Sequence, residues 1–379
     1  MARKTGAEGV KQVVKHSPYM EWAKTCSMAR FNLATSGLTN TTTTEFPLAA
    51  ADMEITGPGG YGFPPLLERL SRHTGAPVES IVAATGASMA NYLAMSIVLN
   101  AGDEVLIERP AYGLFADIAN YLGAGVAYLD RSPENDFSVN VDALEKALTP
   151  RTRMIVLSNL HNPSGALLPE ATLREIGVLA QRAGVRVLVD EVYLEMLFDR
   201  AAPFAFDVGQ QLAGSEDNPF IITNSLTKTY GLSGLRCGWI LAAPDLARGM
   251  WRLNDLFGVN AAHVAEQMSV VAFDRLEILR TKARALLTTN RELLDVLLDA
   301  HHELECYRPP GGSVVFPRLP NGDPEAFFRL LREKYETSVV PGRFFGAPRH
   351  FRIGIAGSTE NVRGGLERLG AALTEFGNR

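Results

Sequence analysis

Short apolar runs alternate with helical patterns through the middle of the chain. Runs of successive apolar residues are typical of strands buried on both faces of a parallel sheet. The predicted strands are residues 105–107, 154–157, 185–189, 220–223 and 238–241. Residues 169–183 show a helical pattern, with Pro169 at its start and Gly184 after its end. This alternation predicts an α/β fold with a mainly parallel central sheet.

The last third of the chain has a different pattern. A long helical pattern covers residues 276–300, and shorter apolar runs and helices follow it. These are a run at 313–316, a helix at 324–334, runs at 338–340 and 351–355, and a helix at 360–376. This order predicts a smaller α+β domain.

Composition narrows the class of protein. The 379 residues correspond to about 2.5 domains at ~150 residues each. The net charge of −5 gives no basic surplus for binding nucleic acid. Cys26, Cys237 and Cys306 lie too far apart for a disulfide framework or a Cys-x-x-Cys metal site, so we expect no metal and a reducing, cytoplasmic location.

Two segments resemble targeting or membrane sequences only superficially. Residues 1–16 have basic side chains without an apolar core, which argues against a secretory signal. Residues 80–100 lack charge but contain several polar side chains and Gly86, and we interpret them as a strand, a tight turn and a helix with no membrane crossing. The polar stretch at 39–44 predicts a loop or an edge strand.

A lysine follows one predicted strand in a loop of small polar residues and glycines. Ligands bind at the carboxyl ends of strands in such sheets, so residues just after each strand are candidates for function. Lys228 is one of them, and lysine amines form Schiff bases with aldehydes. Arg236 lies eight positions later, and a guanidinium group suits a phosphate. An aldehyde that carries a phosphate describes pyridoxal phosphate.

Other strand ends agree with this cofactor. Asp190 follows the strand at 185–189, where its carboxylate can pair with a pyridinium nitrogen. This pairing keeps the ring protonated, so that the ring can act as an electron sink. Tyr193 can donate to the phenolic oxygen of the ring. Asn162, held extended before a proline, can reach both ring and substrate, whereas we interpret His161 as structural.

The turn at 85–88 supplies a candidate phosphate site. Gly86 permits a tight turn, and the helix that follows presents free N–H groups to an anion. After the strand at 105–107, Tyr112 stands where an aromatic side chain can stack on a planar ring.

Together these residues resemble the fold type I pyridoxal-phosphate enzymes, and specifically the class I/II aminotransferases. The resemblance extends from about Phe31 to the C-terminus. It depends on three motifs, which are Ser-x-x-Lys-x-x-Gly-x-x-Gly-x-Arg at 225–236, Asn-Pro-Ser-Gly at 162–165 and Asp-x-x-Tyr at 190–193. The resemblance implies pyridoxal phosphate as cofactor, an amino acid and a 2-oxo acid as substrates, and a homodimer with shared active sites.

The resemblance also implies individual roles. Lys228 would form the internal aldimine and shuttle the proton between Cα and C4′, with Asp190 and Tyr193 as further catalytic residues. The implied cofactor-binding residues are Ala87, Ser88, Tyr112, Asn162, Asp190, Tyr193, Ser225, Lys228 and Arg236. The implied substrate-binding residues are Gly37, Asn162 and Arg352. An arginine between apolar strand residues, as Arg352 is, requires an anion to offset its burial.

Some positions depart from the family pattern. Gly57 stands where many members have a tyrosine that reaches the phosphate of the partner subunit, and Tyr61 is close to it in sequence only. Phe115 replaces the histidine that supports the pyridine-binding carboxylate in aspartate-type members, and no second arginine for a dicarboxylate is recognisable. Residues 311–318 and 339–346 are also similar to those of capreomycidine-type cyclases, so the scaffold alone does not determine the reaction.

The leading hypothesis is a cytosolic, homodimeric aminotransferase with a ping-pong mechanism. The alternative is a lyase or cyclase that uses the same cofactor. A transcriptional regulator with this domain would carry a basic DNA-binding domain at its N-terminus. It is disfavoured because only about 30 residues precede the first matched segment and the net charge is negative. Aromatic side chains and the 39–44 loop are candidate lining of an apolar substrate pocket: Phe31, Phe63, Tyr230 and Phe257.

The predicted division places a large cofactor-binding domain at 46–275. The small domain is predicted to be discontinuous, formed by residues 1–45 and 276–379. The substrate is expected between the two domains.

Overall fold

The computed structural model describes residues 15–39, 41–198, 202–319 and 321–377. Its strands are β1 (Phe31–Asn32), β2 (Ile81–Thr85), β3 (Glu104–Arg109), β4 (Gly125–Asp130), β5 (Thr152–Ser158), β6 (Arg186–Asp190), β7 (Phe220–Ser225), β8 (Cys237–Leu241), β9 (Val314–Val315), β10 (Thr337–Ser338), β11 (Val340–Pro341) and β12 (Phe351–Gly354).

The helices connect and cover these strands. They are α1 (Pro18–Thr25), α2 (Pro64–Thr74), α3 (Ala87–Val98), α4 (Leu114–Leu122), α5 (Val141–Ala147), α6 (Glu170–Ala183), α7 (Ala205–Ala213), α8 (Pro244–Asn254), α9 (His263–Asp274), α10 (Leu276–Ala300), α11 (Pro324–Glu333) and α12 (Thr359–Gly377).

A seven-stranded sheet with the order β2-β8-β7-β6-β5-β3-β4 forms the centre of the molecule. The pairs from β7 through β6, β5 and β3 to β4 are parallel. Strand β8 runs antiparallel to both of its neighbours, β2 and β7. The α/β class and the mainly parallel sheet predicted from the sequence are confirmed.

Alternate residues of each central strand enter two different cores. On β5, Ile155 and Leu157 pack into one cluster, while Met154 and Val156 pack into another. Since side chains alternate between the two faces of a strand, a strand covered by helices on both faces must be apolar at every position. This explains the continuous apolar runs in the sequence.

The C-terminal elements form a second region with its own core. Strands β11, β12 and β9 make an antiparallel sheet. Strand β1, from the N-terminal part of the chain, pairs in parallel with β10, through Phe31 with Thr337 and Asn32 with Ser338. Helices α10 and α12 pack together against this region.

Most of the predicted elements are present, with one error of direction. The five apolar runs are all strands, but the run at 238–241 lies in the antiparallel strand β8, which its composition could not distinguish from a parallel one. Residues 80–100 do form strand, turn and helix, and the 276–300 helix has the predicted bounds.

The predictions for the loop at 39–44, the N-terminal segment at 1–16 and membrane crossing are compared with the described residues one by one. Residues 39 and 41–44 are loop, while residue 40 and the first 14 residues of the 1–16 segment lie outside the described residues. Within the described residues, no helix combines the length and apolarity that crossing a bilayer requires.

Candidate functional site

A cavity of about 390 Å³ lies at the carboxyl ends of the central strands. Its volume is in the range of small-molecule sites. Every site residue predicted from the sequence lines it: Gly37, Ala87, Ser88, Tyr112, Asn162, Asp190, Tyr193, Ser225, Lys228, Arg236 and Arg352. The topology brings Tyr112, Asn162, Asp190 and Lys228 together, because the loops after parallel strands open at one edge of the sheet.

Hydroxyl groups hold the amine of Lys228. Its Nζ donates to Oγ of Ser36 across 3.4 Å, and that oxygen lies 2.7 Å from the hydroxyl of Tyr193. The amine also lies 5.9 Å from the centroid of the Tyr193 ring. Among the described side chains no carboxylate forms an ion pair with Lys228, so the amine is available for chemistry.

Asp190 ends strand β6 and is buried in the cavity wall. Its Oδ2 accepts a hydrogen bond from Nδ2 of Asn91 across 2.9 Å, and its Oδ1 accepts one from the backbone N–H of Val192 across 3.2 Å. Burial raises the pKa of this carboxyl above its usual value, although these two hydrogen bonds and the charge of Lys228 oppose that effect. A cation beside it would favour the ionised form.

Arg352 lies on β12, is buried, and lines the same cavity as Lys228. Its Nη1 donates to Oδ1 of Asn162 across 2.9 Å. Its Nη2 donates to the carbonyl oxygen of Ala34 across 2.9 Å and to the hydroxyl of Tyr19 across 3.2 Å. Its Nε has no partner, and no carboxylate of the described residues pairs with it. A buried guanidinium without a counter-ion marks a place for an anion.

The turn between β2 and α3 forms a second anion site. Gly86 has φ +82°, a conformation that glycine adopts without strain. A Cβ atom there would collide with the guanidinium of Arg236, so the glycine is what allows the arginine to lie over the turn. Arg236 donates to the carbonyl oxygens of Thr85 and Ser233, each across 3.3 Å. The first N–H groups of α3 are free to bind an anion in the same place.

Tyr112 forms part of the cavity wall between these anion sites. Its ring meets that of Tyr19 edge to face, with 5.4 Å between centroids. Its hydroxyl donates to Sδ of Met20 across 3.2 Å, and burial raises its pKa above the usual value. The ring is therefore held as a neutral, planar surface.

These groups fit pyridoxal phosphate. The amine of Lys228 suits the aldehyde, and the carboxylate of Asp190 suits a protonated pyridine nitrogen. The anion cradle, formed by the turn at Gly86, the start of α3 and Arg236, suits the phosphate. A Cβ atom at Gly86 would take up the space of the Arg236 guanidinium. The anion site at Arg352 is left for a substrate carboxylate.

Several residues of the site were missed by the sequence analysis. Ser36 bonds both Lys228 and Tyr193, and its position beside Gly37 was a usable signal. Asn91 bonds Asp190, and its helical spacing of three residues from Ser88 on α3 could have indicated it. Helix α1 contributes Tyr19, Met20 and Trp22 to the cavity, and nothing in its sequence pattern indicated this.

The departures from the family pattern have structural explanations. Tyr61 lies outside the cavity, half exposed, and its hydroxyl donates to Oδ2 of Asp255 across 3.1 Å. A side chain at Gly57 would collide with the imidazole of His263. Phe115 is fully buried and meets the ring of Tyr112 edge to face.

The remaining predictions about side chains near the site differ in outcome. His161 is structural, as predicted, because it is buried between the hydroxyl of Ser164 and the carbonyl of Pro110. Burial holds the pKa of its imidazole well below the usual value. The aromatic side chains suggested as pocket lining do not line the cavity: Phe31, Phe63, Tyr230 and Phe257.

Comparison with known proteins agrees with this site. A family model described as aminotransferase class I and II matches residues 41–369. The arginine–pyruvate transaminase AruH of Pseudomonas aeruginosa is 30% identical over 323 residues, which are 82% of this chain and 79% of that protein. Capreomycidine synthase of Streptomyces vinaceus is 29% identical over 300 residues, which are 78% of this chain and 75% of that protein.

A solved structure shows the same fold. A pyridoxal-phosphate-dependent aminotransferase from Streptococcus suis superposes with a TM-score of 0.86 at 25% identity, covering 96% of this chain and 99% of that one. The family model spans most of the sequence, and the structural match spans nearly all of the fold. The chain therefore belongs to the class I and II aminotransferases, the pyridoxal-phosphate-dependent transaminases of fold type I.

Proposed function

We propose that this enzyme moves the amino group of an α-amino acid to a 2-oxo acid by a ping-pong mechanism. The main support is the position of Arg352, a buried guanidinium with no carboxylate partner among the described residues, in the same cavity as the amine of Lys228. An anion site in the same cavity as a lysine amine suits substrates that carry an α-carboxylate next to the reacting carbon.

In this proposal the cofactor is held at both ends. The first N–H groups of α3 at Ala87 and Ser88, with Ser225 and Arg236, bind the phosphate. Asp190 pairs with the pyridine nitrogen, and Tyr112 stacks on the ring. Asn162 and Tyr193 bind the phenolic oxygen. When bound, pyridoxal phosphate supplies an electron sink for the bonds at the substrate Cα.

Lys228 moves the proton. Its Nζ accepts the proton that leaves the substrate Cα, and the cavity keeps the amine within reach of that carbon. Ser36 and Tyr193 orient the amine, because the Ser36 hydroxyl lies between them with contacts of 3.4 and 2.7 Å. Gly37 packs on the lysine stem, and a Cβ there would lie 3.4 Å from Cδ of Lys228.

Arg352 binds the substrate α-carboxylate. Its Nη1 and Nη2 are fixed by Asn162, Ala34 and Tyr19, so the guanidinium plane is oriented before the substrate arrives. The N–H groups that these bonds leave unused, one at Nε and one at Nη1, can donate charge-assisted hydrogen bonds to a carboxylate. The α-amino group of the substrate is thereby directed toward Lys228.

We also propose the domain division predicted from the sequence, with residues 46–275 as the large domain. Lys228 follows a strand of the central sheet, while Arg352 lies in the C-terminal sheet. The pairing of β1 with β10 supports the assignment of the N-terminal segment to the small domain. Limited proteolysis tests this division, which predicts protected fragments that begin near residue 46 or end near residue 275.

The proposed homodimer is supported by an exposed apolar surface, here called the 55–61/256–259 surface. Its apolar side chains have large exposed fractions: Ile55 80%, Tyr61 54%, Leu256 75%, Phe257 49% and Val259 59%. The hydrogen bond of 3.1 Å from Tyr61 to Asp255 brings the two segments together, and exposed apolar groups on adjoining segments mark interaction sites. Sedimentation velocity should show a dimer that Leu256→Glu shifts to monomer, whereas Val296→Glu, at a position 70% exposed elsewhere, leaves it intact.

The proposed reaction is tested by a donor screen with pyruvate and 2-oxoglutarate as acceptors. A ping-pong enzyme gives parallel lines in double-reciprocal plots when both substrates are varied, because the first product leaves before the second substrate binds. Intersecting lines, or no transfer from any amino acid, would contradict the proposal.

A lyase or cyclase reaction is the second candidate. It is favoured by the 29% identity to capreomycidine synthase over 78% of this chain. Such a reaction consumes an amino acid over many turnovers without a 2-oxo acid acceptor. Measuring product in the absence of any acceptor therefore separates the two candidates.

A further inference from the structure

Helix α3 contacts both ends of the candidate cofactor site. Its first turn, at Ala87 and Ser88, lies at the anion cradle. Asn91 lies one turn later on the same face as Ala87, because residues four apart are neighbours on a helix. Asn91 also lines the cavity and is 1% exposed. One rigid element thus joins the phosphate end to the side chain that bonds Asp190.

Three buried side chains form a chain of hydrogen bonds behind the cavity. Oγ1 of Thr223, on β7, donates to Oδ1 of Asn91 across 2.6 Å. Nδ2 of Asn91 donates in turn to Oδ2 of Asp190 across 2.9 Å. Thr223 is 0% exposed, and Thr223 is also the register partner of Asp190 in the sheet.

The direction of these bonds is fixed by the groups present. A threonine hydroxyl has one proton, and here that proton is given to Oδ1 of Asn91. The amide N–H group must then face Asp190, where it can only donate. The reverse orientation would set Oδ1 of Asn91 against Asp190, where it could be bonded only by a protonated carboxyl. An acceptor-only carboxylate is the ionised one, so the chain of bonds selects that form.

No other side chain of the described residues bonds Asp190. Its second oxygen accepts from the backbone of Val192, and Phe115, at the position where aspartate-type relatives are expected to have a histidine, offers no polar atom. Beside the backbone N–H of Val192, Asn91 therefore sets the orientation of the Asp190 carboxylate.

We propose that Asn91 and Thr223 are positioning residues that hold Asp190 ionised and aimed at the pyridine nitrogen of the cofactor. The proposal rests on the function proposed above, in which Asp190 pairs with that nitrogen. It adds two residues that do not touch substrate or the reacting atoms and that act through Asp190.

The experiment compares five holoenzyme variants, four single ones and the double variant of Asn91→Leu with Thr223→Val. Asn91→Leu replaces the amide with methyl groups on a side chain of the same branching, Thr223→Val removes the hydroxyl from a β-branched side chain, and Thr223→Ser keeps the hydroxyl. Asp190→Asn tests the underlying function separately. The readouts are the dissociation constant for pyridoxal phosphate, the pH titration of the visible absorbance of the lysine-bound cofactor, and kcat and KM.

The pH titration reports on several groups around the ring. Those that face Asp190 are Lys228, Tyr112 and Tyr193 in the cavity wall and Glu191 next along the chain. Asn91→Leu and Thr223→Val leave all of these in place. A shift of the titration in these variants therefore reports on the hydrogen bond to Asp190.

We expect Asn91→Leu to weaken cofactor binding and lower kcat by about 10- to 100-fold, the size of a lost hydrogen bond to a charged group. The midpoint of the titration should shift, KM should change little, and Thr223→Val should act in the same direction. The double variant should have the same cofactor affinity and kcat as Asn91→Leu, because Thr223 acts on Asp190 through Asn91. Thr223→Ser should behave as the wild type.

Wild-type cofactor affinity and titration in Asn91→Leu would overturn the proposal, as would equal effects of Thr223→Ser and Thr223→Val. If Asn91→Leu fails to fold, Thr223→Val decides the question by the same readouts. Full activity of Asp190→Asn would instead contradict the function on which the proposal rests, so the two failures are distinguishable.

Discussion

Arg352 and Asn162 are joined by a hydrogen bond of 2.9 Å from Nη1 to Oδ1, although 190 positions separate them in the sequence. Asn162 follows a strand of the central sheet, and Arg352 belongs to the C-terminal sheet. The bond therefore links the two sheets at the cavity. It also fixes the guanidinium at the place where we propose that the substrate carboxylate binds.

Replacing Arg352 with lysine should weaken substrate binding. Lysine keeps the charge but loses the planar fork, so one or two charge-assisted hydrogen bonds to the carboxylate are lost. We expect KM for the amino donor to rise about 10- to 100-fold, with cofactor affinity unchanged. Steady-state kinetics and a cofactor titration measure this.

The matched control is Arg30→Lys. Arg30 is an exposed arginine that forms an ion pair with Glu336 and does not line the cavity. It should leave KM unchanged. Equal KM values for Arg352→Lys and the wild type would remove Arg352 from the substrate site.

Substitution of Lys228 by alanine should abolish turnover. The variant loses the amine that binds the aldehyde and moves the proton, and a loss of more than about 100-fold is expected from proton transfer alone. The visible absorbance of the lysine-bound cofactor should also disappear. Lys282→Ala, which removes an exposed lysine paired with Glu45, should keep both properties.

A methyl group at Gly86 should weaken cofactor binding. Gly86→Ala places a Cβ against Arg236 and forces alanine into φ +82°. We expect at least a 10-fold rise in the dissociation constant for pyridoxal phosphate, since the phosphate cradle is displaced. The variant should also lose about 1–3 kcal/mol of stability from backbone strain.

Gly102→Ala is a control that separates the loss of cofactor affinity from the loss of stability. Gly102 has φ +93°, but a Cβ there would meet no atom within 4 Å. This variant should show the loss of stability with normal cofactor affinity. If both variants bind the cofactor equally well, Gly86 has no part in the phosphate site.

Glu191 should make the protein less stable as the pH rises. It is fully buried, with Oε1 accepting from the backbone N–H of Ala205 across 3.0 Å and Oε2 without a partner among the described residues. Burial, and secondarily the nearby Asp207, hold its pKa well above the usual 4.5. The folded state therefore binds this proton more tightly than the unfolded state does.

The contribution of the protonated Glu191 carboxyl is fully present below pH 4.5 and is lost as the pH rises through the folded-state pKa. Glu191→Gln removes this dependence, so its free energy of unfolding should rise relative to the wild type between pH 4.5 and neutrality. Urea titrations of the holoenzyme at several pH values measure this free energy of unfolding. Glu45→Gln should show its trend at lower pH and with opposite sign: Lys282 and Thr42 lower the pKa of Glu45 to about 2, so this carboxylate stabilises the fold above pH 4.5 and loses that contribution as the pH falls toward 2.

The sequence predicted the parts of the site that follow from strand ends. Lys228, Asp190 and Asn162 each come just after an apolar run, and parallel topology brings such positions to one edge of the sheet. The mainly parallel fold and the long helix at 276–300 followed from apolar periodicity alone. Arg352 was recognised from the family resemblance, and its position between apolar strand residues supported an anion there.

The sequence could not indicate residues that reach the site through tertiary packing. Helix α1 brings Tyr19 and Met20 to the cavity, and neither lies at a strand end. The role of Asn91 depends on the register that places Thr223 beside Asp190. The antiparallel direction of β8 was also not predictable, because a strand covered on both faces is apolar in either direction.

The most direct measurement of the central proposal is a single half-reaction. The cofactor-loaded enzyme is mixed with an amino acid donor and no acceptor, and the 2-oxo acid formed and the visible absorbance of the lysine-bound cofactor are followed together. Transamination predicts one equivalent of 2-oxo acid per site and a loss of that absorbance, which a 2-oxo acid acceptor restores. Continued product formation with no acceptor, while the absorbance persists, would contradict the proposal.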